Sequence, residues 1–476
     1  MLLSEKNQPI IAISTAQGVG AVGVIRISGS NLNHFISVLL SKPLIPRVAT
    51  LSILRDKEGN AIDQLVAIYF KGPHSYTGED VLELQGHGGP VLLNMIVERC
   101  IQVANQNTME PCLPGLRMAY PGEFSERAFL NSKLDLAQAE SVMDLINAKT
   151  KLAARGAIRS LQGEFSNEIN TLKEMLVRLR MLVEASIDFP EEEIDFIKSD
   201  QARQEIQNIK SKLNEIIGHA EQGRVLIQGI NVVIAGQPNA GKSSLMNVLS
   251  GEDIAIVTNI AGTTRDVLRE TVSIEGVPFH MTDTAGLRSE REEQLDEVEK
   301  IGIERAWARI NDADIIIYLH DLSRMREKSY VEQELEIRAT IEESRVDGMK
   351  ILDVYNKTDV AARDKSVEFS EEMGVRISAK SGLGIDALKK KLLNLVGWNN
   401  SSDEGLYVSR QRHLNALQRV QTNVITAVEW LNLENPRLEI IAEELRLAQH
   451  SLSEITGEFS TEDLLGEIFA GFCIGK

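Results

Sequence analysis

The sequence predicts a multidomain protein: an α+β N-terminal domain, then an all-α domain in two separated segments, with an α/β domain inserted between them. Three changes of texture predict it. Residues 1–131 alternate short β-like runs ("PIIAIST", "VGVIRIS", "LVAIYF", "VLELQG") with Gly- and Pro-marked turns. Residues 132–228 repeat apolar side chains at three- and four-residue spacing, as helices do. Residues 229–398 alternate strands and helices, as in a parallel α/β fold, before helical texture returns over 399–476.

Within the first segment, one helix-like stretch, "PVLLNMIVERCIQVAN", interrupts the strands. In the second, "DFPEEEIDF" breaks the helical run, and a further helix follows through "QARQEIQNIKSKLNEIIGHAEQG". The polar link "GWNNSSDEG" separates the inserted domain from the helices "RQRHLNALQRVQTNVITAVEWL" and "PRLEIIAEELRLAQHSLSEITG". A length of 476 residues fits about three domains of roughly 150 residues each.

Composition narrows the class. Apolar residues make up 43% and aromatics 5%, so aliphatic side chains carry the packing. No run approaches the roughly 18 apolar residues of a membrane span. The first residues lack a signal-peptide layout, so a cytoplasmic protein is expected. Cys100, Cys112 and Cys473 are odd in number and far apart, which suggests neither a disulfide framework nor a zinc site. The 51 basic and 69 acidic side chains leave a net charge of −18. An acidic chain is not a bulk nucleic-acid binder, so any RNA must meet a local basic patch or a partner.

"INVVIAGQPNAGKSSL" joins an apolar strand to the spacing G-x-x-x-x-G-K-S. Gly236 and Gly241 allow backbone N–H groups, with Asn239 and Ala240, to wrap a phosphate at a helix N-terminus. Lys242 reaches for the β- and γ-phosphates, and Ser243, followed by Ser244, is the Mg²⁺ ligand of this motif. "VPFHMTDTAG" ends a strand in Asp283-Thr284-Ala285-Gly286; Asp283 suits Mg²⁺, and the Gly286 amide suits the γ-phosphate. "ILDVYNKTD" ends another in Asn356-Lys357-Thr358-Asp359. Asp359 can accept from both N1–H and the N2 amino group of guanine, a donor pair that adenine lacks, so GTP is selected over ATP. Ser378-Ala379-Lys380 then offers a backbone amide to the guanine O6. Four motifs in this order, each after an apolar strand, specify a GTPase domain.

Two features depart from the Ras-like pattern. Leu287 follows DTAG where a water-orienting Gln is usual, and leucine cannot orient water. Pro238-Asn239 replaces small residues in the phosphate loop; Asn239 is either a turn residue or a side-chain oxygen aimed at a charge beside the phosphates. The stretch Thr258-Asn259-Ile260-Ala261-Gly262-Thr263-Thr264 completes the GTP site. Thr264 is the expected switch threonine for Mg²⁺, while Thr258, Ile260 and Thr263 offer oxygens for a monovalent cation. Such a cation does the electrostatic work of an arginine finger, worth about 10³- to 10⁵-fold in rate. Arg265 is the competing candidate, as an in-cis finger or as a partner of Asp266.

These residues resemble the MnmE (TrmE) family of tRNA-modification GTPases nearly from end to end. "GEDVLELQGHGGP", "PGEFSERAFLNSKLDLAQAE", "DFPEEEIDF", "GQPNAGKSSL", "IAGTTRDVLRE", "DTAGLR", "EVEKIGIERAW", "EELRLAQ", "LSEITGEF" and the terminal "FCIGK" carry the likeness. The resemblance implies a folate-binding α+β N-terminal domain that also dimerises, a discontinuous helical domain and an inserted Ras-like P-loop G domain. It implies a homodimer and potassium-stimulated GTP hydrolysis. It also implies a complex with the flavoprotein MnmG (GidA), a heterotetramer that modifies carbon 5 of the wobble uridine of certain tRNAs.

By similarity, Asn239, Thr258, Ile260 and Thr263 bind K⁺, Ser243 and Thr264 bind Mg²⁺, and Glu299 of "EVEKIGI" helps position water in place of the missing Gln. A reduced folate (5-formyl- or methylene-tetrahydrofolate) is implied at Arg26, Glu83, Lys133 and Lys476. Without the resemblance, Glu83 reads as an edge-strand carboxylate and Lys133 as a solvated helix residue. Cys473 then faces the modification chemistry rather than serving as a lipidation site, since no polybasic stretch precedes it. Gly18, Gly20 and Gly23 spell G-x-G-x-x-G, but "VIRIS" after them reads as a strand where a dinucleotide site needs a helix. FAD is therefore expected on the partner only. The alternative of a ribosome-assembly GTPase that binds rRNA without modifying it leaves "FCIGK" without a purpose.

Overall fold

The computed structural model describes residues 8–106, 111–188, 200–252, 270–283, 313–343, 348–361, 374–398, 405–433, 435–458 and 462–475. The chain divides into two compact units, one of Met1–Met143, Ser166–Ile194 and Asn423–Lys476, the other of Asp144–Phe165 and Asp195–Thr422.

The first unit is built on a six-stranded sheet of β1 (Ile10–Ile13), β2 (Gly20–Gly29), β3 (Thr50–Arg55), β4 (Ala61–Phe70), β5 (Asp80–Gly88) and β6 (Arg117–Met118). Its order is β3-β4-β5-β2-β1-β6. All pairings are antiparallel except β1 with β6. Alternation in β4, with Leu65, Ala67 and Tyr69 buried, turns one face toward α1 (Asn33–Leu40) and α2 (Pro90–Ala104). Phe35, Ile36, Leu93, Ile96 and Cys100 fill that core. On β1, Ile10 and Ala12 instead meet Phe124 of α3 (Glu123–Leu130).

"VIRIS" lies inside β2 together with Gly20 and Gly23, so a strand and not a helix follows the glycine spacing, as expected. Glu83 is not on an edge: β5 lies between β4 and β2. Lys133 is not on a helix either, but in the turn between α3 and α4 (Leu136–Asn147).

The second unit holds α5 (Lys151–Leu161), the start of α6 (Glu164–Asp188), α7 (Asp200–Gln228) and a six-stranded sheet. The strands are β7 (Ile230–Ala235), β8 (Glu270–Ile274), β9 (Val277–Asp283), β10 (Ile315–Asp321), β11 (Lys350–Asn356) and β12 (Val375–Arg376), in the order β12-β11-β10-β7-β9-β8. Every residue of β10 is buried, as expected for a strand covered on both faces. The sheet is not wholly parallel, because β8 runs antiparallel to β9. The reason is local: Glu275 and Gly276 take φ of 50° and 85°, the left-handed pair of a two-residue hairpin turn.

Leu245 and Leu249 of α8 (Lys242–Glu252) pack on one face. Ile341 of α9 (Lys328–Glu343) packs on the other. A single helical turn, α10 (Thr358–Ala361), precedes α11 (Ile385–Leu395), whose Leu388 and Leu392 join the first core. Phe165 packs at a tilt against the rings of Tyr407 and His413, the latter on α12 (Gln411–Leu431).

In the first unit, α13 (Leu438–Thr456) meets α6 through Arg180, which donates to Gln449 at 2.6 Å. Here too, α14 (Glu462–Ala470) presents Phe469, which with Phe472 packs on Leu136, Ala139 and Met143. Among the described residues no helix is long and apolar enough to cross a membrane.

Candidate GTP-binding and modification sites

Apolar β7 delivers the chain to the phosphate loop at the point where α8 begins. Gly236 takes φ of 145°, and a Cβ there would lie 2.3 Å from the Leu319 carbonyl oxygen. Gly241 takes φ of 101°, and its Cβ would lie 2.2 Å from Asn356 Nδ2. No side chain fits at either place, which explains both glycines of the motif. Asn239 lies between them in the left-handed region, at φ of 64°, with its side chain exposed. Lys242 folds its ammonium back onto the carbonyls of Gly236 (2.7 Å) and Gln237 (3.1 Å), which hold this positive charge within the phosphate loop. Ser243 and Ser244 stand exposed in the first turn of α8.

Asn356 joins this loop to the two loops expected to meet the base. Its buried side chain donates to Ala240 O at 2.8 Å and accepts from Ala379 N at 3.0 Å. Thr358 donates through Oγ1 to Ile377 O at 2.9 Å, and Ser378 donates to Asp359 Oδ1 at 2.8 Å. Asp359 and Lys380 are exposed. The phosphate loop, the Asn356–Asp359 segment and the Ser378–Lys380 loop thus share one hydrogen-bonded frame at the carboxyl ends of parallel strands, where open α/β sheets bind ligands.

Asp283 ends β9, and nothing of its side chain is described. Thr258, Asn259, Ile260, Ala261, Gly262, Thr263, Thr264, Arg265, Thr284, Ala285, Gly286 and Glu299 lie outside the described residues.

Sequence reasoning missed three residues beside this frame. Asp321, 2% exposed at the end of β10, receives Lys357 Nζ at 2.6 Å. Burial alone would raise its pKa, but the Lys357 ammonium and the Ser323 donors hold the carboxyl below the usual carboxylate range. Gln237 in the phosphate loop and Tyr330 on α9 are likewise buried. The signal was present in "IIIYLHD", a run of apolar residues ending on an aspartate at a strand's carboxyl end.

Behind Asp321, His320 is clamped on both ring nitrogens, by Glu334 Oε2 at 2.5 Å and Asp353 Oδ1 at 2.9 Å. Tyr355 stacks on it and Tyr318 meets it edge-on, while Arg338 faces Asp353 at 2.9 Å. Burial opposes the charged ring, yet the two carboxylates win and raise its pKa above 6.5. A raised pKa contributes stability that is fully present below the unfolded value and lost as pH rises through the folded one. Thermal unfolding of wild type and His320→Gln should therefore differ most near pH 6, with the gap narrowing as pH climbs above about 6.5. A gap that widens with pH would contradict this.

In the first unit, Arg26 and Glu83 face each other across the β2–β5 register. Arg26 Nη2 and Nε lie 2.7 and 2.9 Å from Glu83 Oε1, and both side chains are partly exposed. The Arg26 guanidinium also sits 5.8 Å from the Tyr76 ring centroid and 5.9 Å from that of Phe124. Lys133 donates to Pro73 O at 3.0 Å.

The C-terminal stretch returns to the same unit. Gly122 N donates to Cys473 O at 3.4 Å, and Ser14 Oγ donates to Gly475 O at 3.1 Å. Gly475 takes φ of 92°, and a Cβ there would stand 2.6 Å from Ile13 O. Ile13 and Ala12 pair with Ile25 and Arg26, so the tail lies one residue along β1 from the register partner of Arg26. Cys473 is exposed and in no disulfide; Lys476 lies outside the described residues.

Comparison with known proteins agrees over the whole chain. A family described as GTP-binding protein TrmE N-terminus matches residues 9–133, and one described as MnmE helical domain matches residues 136–473. The tRNA modification GTPase MnmE of Acidovorax sp. (strain JS42) is 51% identical, over 100% of both chains. That of Paracidovorax citrulli (strain AAC00-1) is also 51% identical over 100% of both. A solved structure of Aquifex aeolicus Era bound to GDP.AlF4- is 22% identical over 44% of this chain and 69% of that one, with a TM-score of 0.26, too partial a likeness to add to this. With matched families covering residues 9–133 and 136–473 and half of all positions identical to full-length relatives, the chain belongs to the MnmE (TrmE) family.

Proposed function

We propose that this protein hydrolyses GTP in the service of tRNA modification, acting with the flavoprotein MnmG on carbon 5 of the wobble uridine of certain tRNAs, with a reduced folate as one-carbon donor. One observation carries the GTPase half: Asn356 binds the phosphate loop through Ala240 and the guanine loop through Ala379, so that both ends of a guanine nucleotide meet one frame. The tRNA half rests on the relatives, whose names state it.

GTP is bound along Asn239–Ser244, Asn356–Asp359 and Ser378–Lys380, with Thr258–Thr264 and Asp283–Gly286 completing the site. Oxygen donors suit the hard cations assigned here. Ser243, exposed where α8 begins, and Thr264 are the Mg²⁺ ligands in this reading. Asn239, with its exposed side chain in a left-handed turn, would hold K⁺ together with Thr258, Ile260 and Thr263. Cations held there would supply positive charge beside the transferring phosphoryl group; Glu299 orients water, and Arg265 is a second source of charge.

In the N-terminal domain, Arg26 and Glu83 present donor and acceptor side by side, a set that fits the amide-and-amine edge of a pterin better than either residue alone. Lys133 and Lys476 add positive charge for the folate's carboxylates, and Cys473 faces the modified base. A homodimer, assembled with MnmG and its FAD as a cytoplasmic heterotetramer, completes the reading.

The experiment has two arms. Nucleoside analysis of tRNA from cells lacking the protein should show wobble uridines without their carbon-5 group; unchanged uridines would sink the modification reading. GTP turnover by the purified chain should run faster in K⁺ than in Na⁺, and equal rates would remove the cation role from Asn239.

A further inference from the structure

A buried aspartate, a tyrosine and a left-handed lysine beside the guanine loop call for an explanation that nucleotide contact alone does not give. Lys357 has φ of 66°, in a region disfavoured for any residue with a Cβ, so its surroundings must hold it there. Its ammonium reaches the Asp321 carboxylate at 2.6 Å. Asp321 is itself fixed at three points. Its Oδ1 accepts from Ser323 N at 3.0 Å and from Ser323 Oγ at 2.5 Å, and its backbone N–H donates to the Tyr330 hydroxyl at 2.7 Å. Tyr330, in the first turn of α9, also accepts Gln237 Nε2 from the phosphate loop on its carbonyl oxygen, at 2.8 Å. The Arg324 guanidinium lies 4.8 Å from the Tyr330 ring centroid. Gln237 and Asp321 are 3% and 2% exposed, and polar groups that deep inside a protein are kept there by their partners.

We infer that Asp321 is a positioning residue for guanine recognition, acting through Lys357, and that Tyr330 braces it while anchoring the phosphate loop at Gln237. Asp359 stands two residues beyond Lys357. Letting Lys357 relax out of its left-handed turn would swing the segment that aims Asp359 at the base. The brace holds that segment in place before nucleotide arrives, so binding need not order it. None of the three side chains is required to touch the reacting phosphates. Removal of the Asp321 carboxylate or the Tyr330 hydroxyl should therefore appear in nucleotide retention and not in turnover at saturation.

The inference rests on the GTPase reading, and the unaltered full-length chain separates the two: failure of wild type to bind GDP would sink that reading, whereas the variants test the brace. Dissociation of fluorescently labelled GDP is measured by chase, and kcat and KM for GTP in parallel. Asp321→Asn should release GDP about tenfold faster or more. It should raise KM with kcat within about twofold of wild type. Lys357→Met, in the binding segment itself, should speed GDP release at least as much, and the double variant should release GDP no faster than Lys357→Met alone, because one interaction cannot be lost twice. Tyr330→Phe keeps the ring under Arg324 and removes only the hydroxyl, so it remains informative if Asp321→Asn fails to fold; it should also speed GDP release. Wild-type release rates in Asp321→Asn or Tyr330→Phe would overturn the inference. So would an Asp321→Asn effect that adds in full on Lys357→Met.

Discussion

Replacing Asp359 by Asn should cost the protein its affinity for GTP and give it one for xanthosine triphosphate. In the proposed site the carboxylate would accept two hydrogen bonds from guanine, at N1–H and the N2 amino group. An asparagine offers one oxygen and turns an N–H₂ donor toward the other donor. Two hydrogen bonds to a charged group, at about 1.5–3 kcal/mol each, correspond to a loss of roughly 10²- to 10⁴-fold in affinity. Xanthine carries a carbonyl where guanine carries its amino group, so the asparagine N–H₂ gains a partner there. The fold should survive, since Asp359 is exposed and its contact with the Ser378 hydroxyl needs only an acceptor, which the amide oxygen still supplies. Titration with labelled GDP and xanthosine diphosphate reads the exchange. Unchanged GDP affinity would show that the base is read elsewhere.

Removing residues 473–476 should abolish tRNA modification and leave GTP hydrolysis within about twofold of wild type. The structure explains why so short a deletion can be selective. Phe469 and Phe472 remain to fill the cluster with Leu136, Ala139 and Met143, so the core under α14 is not opened. What goes is the Cys473 carbonyl that Gly122 binds and the Gly475 carbonyl that Ser14 binds, beside the β1–β2 ladder that carries Arg26. Gly475→Ala makes the same point in a full-length chain. Its φ of 92° strains any side chain, and the new Cβ would press on Ile13 O, so the tail should lift and modification should fall. Both variants are read by nucleoside analysis of tRNA from complemented cells. Survival of modification in the truncated protein would make the tail a remnant.

Much of this was legible in the chain itself, and the reasons are local. Gly236 and Gly241 are required by backbone angles and by a neighbouring atom at 2.2–2.3 Å, so a motif of fixed spacing announces them. Asp359 was picked out by what guanine offers a carboxylate, and chemistry of that kind survives in four consecutive letters. The strands on either side were visible because buried parallel strands are nearly continuous apolar runs, as in "IIIYLHD". The antiparallel β8–β9 hairpin was less visible, since its turn is Glu275-Gly276 rather than the Asn-Gly or Asp-Gly pair that advertises such a turn.

What the sequence by itself determined is the chemistry of each short segment: the phosphate loop, the guanine motif, the strand "VIRIS" that rules out a dinucleotide turn, and the family to which the whole belongs. Only the tertiary structure decided which segments meet. Arg26 and Glu83, 57 residues apart, become a single ion pair because β2 and β5 are neighbours in register. Ser14 finds Gly475 across 461 residues, and Lys357 finds Asp321 and, through it, Tyr330. Pairings of that kind are set by sheet order and core packing, which depend on all the apolar side chains at once, and no local spacing records them.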